Sequence, residues 1–287
     1  MATIGKTEIG DSVPAKIMGV INVSPESFYK KSVKNNSSEI VNAATDMHKT
    51  GAEIIDIGAM STAPYLETVI SVENEARRMR HAIGLIRDSC PISISVDTPR
   101  SEVAREAIKL GVDAINDISG LKYDKNMAQV VANSGLPVII GAYGGNMEES
   151  PPVSGNILGT LGLLRESISI AIRAGIESEN IIVDPSVGFF RAKGKNPFFT
   201  KMIDLPWYIR DIEVISDLKR LKTLSKPVCV CVSRKSFIGN LFKLHTRQRL
   251  VPSVVAEMVC ILHSANLIRT HDVKDTRHAL TMLQLLN

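Results

Sequence analysis

Short apolar runs recur along the chain at 17–21 (IMGVI), 53–57 (EIIDI), 92–96 (ISISV), 113–117 (DAIND), 137–140 (PVII), 180–184 (NIIVD), 227–232 (PVCVCV) and 266–270 (NLIRT). Each is rich in Ile and Val and is followed by polar or glycine-bearing residues. Segments of 3.6-residue periodicity, such as Ser101 to Leu110 and Ile212 to Leu224, separate most of them. Runs this short and this apolar predict parallel strands buried on both faces, with the periodic segments as crossover helices. The helix boundaries agree. Thr98-Pro99 predicts a cap before a proline at a first helical position, and Ser71 precedes Glu73 and Glu75, acids suited to a first turn. "TGAE", "LGVD" and "NSGLP" each place a glycine where a helix would end. The count is eight strand–helix pairs without a linker or a composition break. Eight pairs close a barrel, so the expected fold is α/β, a (β/α)8 TIM barrel filling 1–287 as one domain, in preference to an open doubly wound sheet. The longest irregular stretch, Pro185 to Leu205, follows the sixth strand and is expected to form an active-site loop.

Composition adds little to the fold but narrows the ligand. Hydrophobic residues make up 44% and charged residues 22%, as in an ordinary soluble domain, and the net charge is only +4. Lysines and arginines are interspersed with acids, which argues against nucleic acid and leaves anionic small molecules as the better partners. Cys90, Cys229, Cys231 and Cys260 show no zinc spacing; they are expected to be reduced core residues of a cytoplasmic protein. MATIGKTEIGDSV lacks a signal-peptide core, and no apolar run approaches the ~20 residues that span a bilayer. No membrane partner is expected.

Ligands of such barrels bind at the C-terminal strand ends. Those ends carry Asn22, Asp56, Asp97, Asn116, Asp184, Arg234 with Lys235, and Arg269 with His271. Each alone has a plain reading: Asp97 as a helix cap, Asp184 as a turn opener, His271 as a helix-terminal histidine, Asp56 as a structural carboxylate. Together at one mouth they imply a polar ligand. Asp97, Asn116, Asp184 and Lys235 can read a flat heterocycle, a carboxylate accepting from an amino-imino edge while Asn and Lys serve ring nitrogens and a carbonyl. Arg269, His271 and the helix start after Ser233 would form an anion site. Asn22 offers an oxygen that could help hold Mg²⁺ over a diphosphate.

The blocks IMGVINVSPESF, GAEIIDIGAMST, ISVDT, AINDISG, IIVDPSVGF, SRKSFIG and IRTHDV, spanning residues 17 to 273, resemble in order those of the dihydropteroate synthases. The resemblance implies a transferase that joins 4-aminobenzoate to 7,8-dihydropterin-6-ylmethyl diphosphate, with release of diphosphate and with Mg²⁺ as cofactor. It implies pterin contacts from Asp97, Asn116, Asp184 and Lys235, and a diphosphate and Mg²⁺ site from Asn22, Arg269 and His271. Thr62, Pro64, Phe189 and Ser236 match positions near the aminobenzoate pocket. Lys235, Asp97 and Asn22 would be the catalytic set, with Lys235 bridging the two substrates. A homodimer through late helices is also implied, the apolar helix from Val254 to Leu262 being one candidate face.

The departures from the family pattern cluster in the loops. The first reads Ser24-Pro25-Glu26-Ser27-Phe28-Tyr29-Lys30-Lys31, without the usual aspartates and glycines. The second reads Ser61-Thr62-Ala63-Pro64-Tyr65 and lacks an arginine; Gly141-Ala142 replaces a Met-His pair; Gly188-Phe189-Phe190-Arg191 replaces Gly-Phe-Gly-Lys. The second substrate is therefore less determined than the first. A ribosylated aminobenzene phosphate, as in methanopterin-type pathways, is an alternative, with Lys30, Lys31 and Arg191 serving the extra phosphate. A pterin-dependent methyltransferase acting on a corrinoid protein, and a non-catalytic pterin binder, are the remaining readings. YGGN (143–146) lacks the Lys-Ser/Thr of a phosphate loop. The aromatic-rich segment 196–210 is expected to pack around the long loop.

Overall fold

The computed structural model describes residues 1–25, 36–145 and 152–286. Eight parallel strands form one sheet: β3 (Lys16–Asn22), β4 (Ile54–Gly58), β5 (Ser93–Asp97), β6 (Ala114–Asp117), β7 (Val138–Gly141), β8 (Ile181–Asp184), β11 (Cys229–Val230) and β12 (Leu267–Thr270). The order β11-β12-β3-β4-β5-β6-β7-β8 curls until Val183 bridges Val228, and the Val183 amide donates to Pro227 O at 2.9 Å. This is the expected (β/α)8 barrel, its last seam held by one bridge. The seventh strand is shorter than its apolar run suggests, Val228 joining the sheet only by its bridge to Val183, and the chain takes a positive φ at Arg234 (57°) before α7.

The outward faces of the strands (Ile17, Ile21, Ile55, Ile57, Ile94, Val96) join the helices α1 (Ser37–Lys49), α2 (Val72–Ser89), α3 (Ser101–Lys109), α4 (Met127–Ser134), α5 (Ile157–Arg173), α6 (Trp207–Ser216), α7 (Ser236–Phe242), α8 (Leu250–Leu262) and α9 (Val273–Leu286) in one apolar layer. The inward faces form a second core of Met18, Ile54, Ala114, Ile139, Ile182, Cys229 and Leu267. Its floor is an N-terminal hairpin, β1 (Ala2–Ile4) with β2 (Thr7–Ile9), whose Ala2, Ile4 and Ile9 plug the barrel bottom. The sequence pattern gave no warning of this hairpin, since its strands have three residues each.

Glycines at 51, 111 and 135 adopt positive φ where helices end, as expected. Ser71 Oγ caps α2 by accepting from the Asn74 amide at 3.3 Å. Thr98-Pro99 behaves otherwise. The Thr98 hydroxyl donates to Glu75 at 2.6 Å, α3 starts only at Ser101, and the Ser101 amide is capped by Asp124 from the following loop at 2.8 Å. The periodic segment from Ile212 to Leu224 is also divided, α6 stopping at Ser216 before a tighter turn over Leu218–Leu224. All four cysteines are unpaired and buried. The aromatics of 196–210 pack as expected, with Phe198 buried 4.9 Å from the Tyr123 ring. No helix among the described residues is long and apolar enough to cross a membrane.

Candidate active site

Side chains on a strand repeat with period two. Two residues beyond the apolar inner layer, each strand therefore presents its next inward side chain: Asp56 after Ile54, Asn116 after Ala114, Asp184 after Ile182, Cys231 after Cys229 and Arg269 after Leu267. On β3 and β5 the mouth positions are Asn22 and Asp97. The barrel interior thus changes from aliphatic to ionic over about 7 Å of strand. The resulting cleft encloses about 840 Å³ including its open mouth, and Asn22, Thr62, Pro64, Asp97, Asn116, Asp184, Phe189, Lys235, Ser236, Arg269 and His271 all line it. The expected substrate and metal contacts are thus brought to this one cleft, whereas Asp56 and Arg234, also expected at the strand ends, do not line it.

The floor is a connected network. Arg269 Nε donates to Asp56 at 2.6 Å and its Nη2 donates to Asp97 at 2.8 Å, while Nη1 lies 3.7 Å from Cys231 Sγ. Asn116 Nδ2 donates to the same Asp56 oxygen at 3.1 Å, which turns the Asn116 carbonyl the other way. Asp56 is fully buried and anchors both neighbours, so its part is positional as well as structural. Burial pushes the Asp97 carboxyl up, with Arg269 resisting. Burial likewise raises Asp184, against the Ser186 amide that donates to it at 2.7 Å and the nearby Lys235. His271 is pushed down to about 3 by burial and by the adjoining Arg269, Lys235 and Arg234 cations, so its imidazole is neutral near pH 7. The His271 amide donates to Ser233 Oγ at 3.2 Å, and that hydroxyl faces Nδ1 at 3.1 Å. In the arrangement where the hydroxyl donates to Nδ1, the ring proton sits on Nε2.

The two adjacent cations of SRKS part company. Lys235 lies over the Phe189 ring at 4.3 Å in the cleft. Gly188 (φ 88°) makes room for it, since a Cβ there would stand 3.1 Å from Lys235 Cδ. Arg234 turns away from the mouth and forms two 2.7 Å bonds to the Asp272 carboxylate and further bonds to the carbonyls of Thr246 and Arg247. It ties loop to loop and is not a mouth cation. Ser233 does not open a helix either, because α7 starts at Ser236.

The walls are held from far along the chain. Asn196 Nδ2 donates to Ala63 O at 2.7 Å and Leu66 O at 3.1 Å, the Lys195 amide donates to Pro64 O at 2.7 Å, and Thr68 closes its own loop on Ser61 O at 2.5 Å. Beneath Phe189, the fully buried Arg210 donates to Pro185 O at 2.8 Å and Ser186 O at 3.2 Å, and its guanidinium stacks 3.6 Å from the Phe190 ring. Asp211 accepts from the Gly188 amide at 2.9 Å. Sequence reading missed Asn196, Arg210 and Asp211. Only a polar residue inside an otherwise apolar segment marked them.

A scan against family models matches residues 18–271 to the pterin binding enzymes. The chain is 34% identical to the dihydropteroate synthase of Clostridium beijerinckii over 285 residues, 99% of this chain and 98% of that protein. The chain belongs to the dihydropteroate synthase family. Among solved structures it is similar to the synthase from Clostridium difficile determined in the presence of pteroic acid, with a TM-score of 0.82, 31% identity and 98% of each chain covered. It is also similar to the Xanthomonas albilineans synthase with 4-aminobenzoic acid, with a TM-score of 0.81, 30% identity and coverage of 95% and 93%.

Within this synthase-family frame, two loop departures acquire a physical account. At Gly141 a Cβ would fall 2.3 Å from Ile118 O, so the loop after β6 occupies the space a larger residue would need. Asp117 fixes that loop by accepting from the amides of Ser119 and Leu121, both at 2.8 Å. Arg191 is not available to an added phosphate. It is buried against Trp207 and donates to Phe190 O and Ser236 Oγ, which corrects its expected role as a cation for an extra phosphate. Glu26 to Lys31 of the first loop and Asn146 of YGGN lie outside the described residues.

Proposed function

We propose that this cleft joins the methylene carbon of 7,8-dihydropterin-6-ylmethyl diphosphate to the amino nitrogen of 4-aminobenzoate. One observation carries the reading most: Asp97, Asn116, Asp184, Lys235 and Arg269 converge on one buried polar floor under a mouth lined by Thr62, Pro64, Phe189 and Ser236. The similar synthases with pteroic acid and with 4-aminobenzoic acid support the two substrate classes. Asp184 and Asn116 read the amino-imino edge and ring nitrogens of the pterin, with Asp97 on the opposite edge. Lys235 stands between the pterin and the arylamine wall. The C–O bond to diphosphate breaks with its electron pair on the leaving oxygen, and the pterin ring electrons stabilise the methylene cation. The arylamine lone pair then forms the C–N bond and the nitrogen gives a proton to solvent. Arg269 and neutral His271, through Nε2–H, meet the departing anion.

Mg²⁺ suits this arrangement. Asn22 Oδ1 stands at the mouth 3.0 Å from where a Cβ on Gly58 would be, so glycine at 58 leaves room for the Asn22 side chain. Mg²⁺ commonly takes one or two protein oxygens and completes its shell with water and substrate phosphates. When bound, it would neutralise the developing charge on diphosphate. Assembly as a homodimer is part of the same reading, supported by an apolar groove between α6, α7 and α8 that exposes Phe242, Val251 and Val255. A Val255→Glu variant should lower the molar mass seen by light scattering.

The experiment measures diphosphate release with Mg²⁺ and the pterin diphosphate, with and without 4-aminobenzoate. Aminobenzoate-dependent release with dihydropteroate as product supports the reading. Pterin binding without such dependence overturns it.

A further inference from the structure

We propose that Arg191 is a positioning residue that turns the Ser236 hydroxyl into a hydrogen-bond donor for the anionic substituent of the arylamine, and thereby sets the cleft's preference for a carboxylate-bearing second substrate. This rests on the function proposed above. Arg191 ends the short strand β9 (Phe190–Arg191), which pairs in parallel with β10 (Thr200–Lys201) across the long loop. Its guanidinium is fixed on three sides. It stacks 3.9 Å from the centre of the Trp207 ring, Nη1 donates to Phe190 O at 2.8 Å, and Nη2 donates to Ser236 Oγ at 2.9 Å.

A serine hydroxyl has one proton and two lone pairs. Here the guanidinium N–H occupies one lone pair and repels the hydroxyl proton to the far side of the oxygen. No acceptor for that proton is present among the described residues. Ser236 lines the cleft beside Lys235, Phe189 and Pro64, so the far side is the cleft itself. The proton is held ready for an oxygen that arrives with the ligand. The buried cation also polarises the hydroxyl, and a charged acceptor gains more from such a donor than a neutral one. The stretch Ser61-Thr62-Ala63-Pro64-Tyr65-Leu66 across the cleft supplies no cation of its own. Discrimination between an arylamine carboxylate and its neutral amide would then come from the Arg191–Ser236 pair. A lysine at 191 keeps the charge but cannot reach both oxygens with a planar fork.

The test is steady-state kinetics in which pterin diphosphate and the second substrate are each varied with the other saturating, with 4-aminobenzoate and neutral 4-aminobenzamide as alternative second substrates. Wild type is compared with Arg191→Gln, Arg191→Lys, Ser236→Ala and the Gln/Ala double variant. Arg191→Gln should raise the KM for 4-aminobenzoate by about tenfold or more, the loss expected for a hydrogen bond to a charged group. The KM for pterin diphosphate and kcat should stay within about twofold, and the amide should be affected far less. Arg191→Lys should recover part of the loss. In the Ser236→Ala background the Arg191 change should add little, because the two act as one unit. Equal losses for acid and amide, or full additivity in the double variant, would overturn the inference. If thermal melting shows that Arg191→Gln does not fold, Arg191→Lys decides: an unchanged KM for 4-aminobenzoate in that variant overturns it. A wild-type protein whose diphosphate release ignores 4-aminobenzoate removes the functional reading and this inference together. Normal wild-type turnover with an unaltered Arg191→Gln removes this inference alone.

Discussion

The floor and the walls of the cleft are built by different means. Apart from Lys235, which caps α7, floor residues sit on parallel strands, and the barrel register brings Asp56, Asn116 and Arg269 level so that their side chains meet. Wall residues sit on loops that would not hold their shape alone. Asn196 grips carbonyls 133 and 130 residues away, and Arg210 clamps two carbonyls at 24 and 25 residues' remove. A floor set by strand register tolerates little change without loss of the barrel. A wall set by side-chain clamps can be rebuilt while the floor stands; the departures at positions 63 and 191 fall on walls, and that at 141 is the last residue of β7, where the strand gives way to a loop. On the function proposed above, the floor would fix the first substrate class and the walls would select the second.

The largest effects should come from the floor. Lys235→Ala and Asp184→Ala are each expected to lower kcat/KM by roughly 10²–10³, the scale for removing a preorganised group aimed at the reacting centre. A tenfold or smaller loss in Lys235→Ala would place the bridging role elsewhere. Asp56→Asn is next. It keeps the shape but removes the charge that Arg269 Nε and Asn116 share. The KM for pterin diphosphate should rise by about 10- to 100-fold, as for a charged hydrogen bond, while that for 4-aminobenzoate stays unchanged. Equal rises for both substrates would show that floor and wall are not separate.

Asn196→Ala tests the wall from the opposite side. It removes the donor that holds the carbonyls of Ala63 and Leu66 and the acceptor of the Phe198 amide, leaving Ala63 O with the Leu66 amide alone. The expected cost is about 1–3 kcal/mol of stability. The KM for the arylamine should rise and pterin binding should hold, which titration of each ligand separately would read. A variant that lost pterin affinity in step would contradict the division.

This division also explains what was legible in the sequence. Strand ends announce themselves, because an apolar run of four or five residues must stop where the barrel stops, and the inward residue two places on is then known. That logic places Asp184 after Ile182 and Arg269 after Leu267 without any coordinates. It fails where a partner is distant. Arg234 reads like Lys235, its neighbour, until Asp272 is seen to claim it. Thr98 reads as a helix cap, but it accepts only from the Arg100 amide before α3 begins, and its hydroxyl donates to Glu75 on another helix. Arg191 reads as a cation for an extra phosphate until Trp207 is seen to cover it. In each case the residue type was right for the expected role, and a long-range contact with no local signature assigned another.

A buried carboxyl outside the cleft gives the control, with no expected effect on the reaction. Glu257 of α8 is fully buried and accepts from the Thr276 hydroxyl at 2.7 Å. Burial pushes its carboxyl up from 4.5 to about 7, with Thr276 and Thr270 resisting. The native state therefore holds this proton over a pH range in which the unfolded chain has released it. Native protein then binds more protons than unfolded, so this group's contribution to stability falls as pH rises from about 4.5 to about 7 and is level above. Glu257→Gln keeps the shape and removes the titration. Its melting temperature should exceed that of wild type above pH 7, by an amount corresponding to on the order of 3 kcal/mol at most, and the gap should close towards pH 4.5. Taking the difference between variant and wild type at each pH cancels the titration of Asp97, Asp184 and His271. A constant gap across that range would show that Glu257 is ionised in the fold, and a fall in kcat/KM would show that α8 reaches the floor after all.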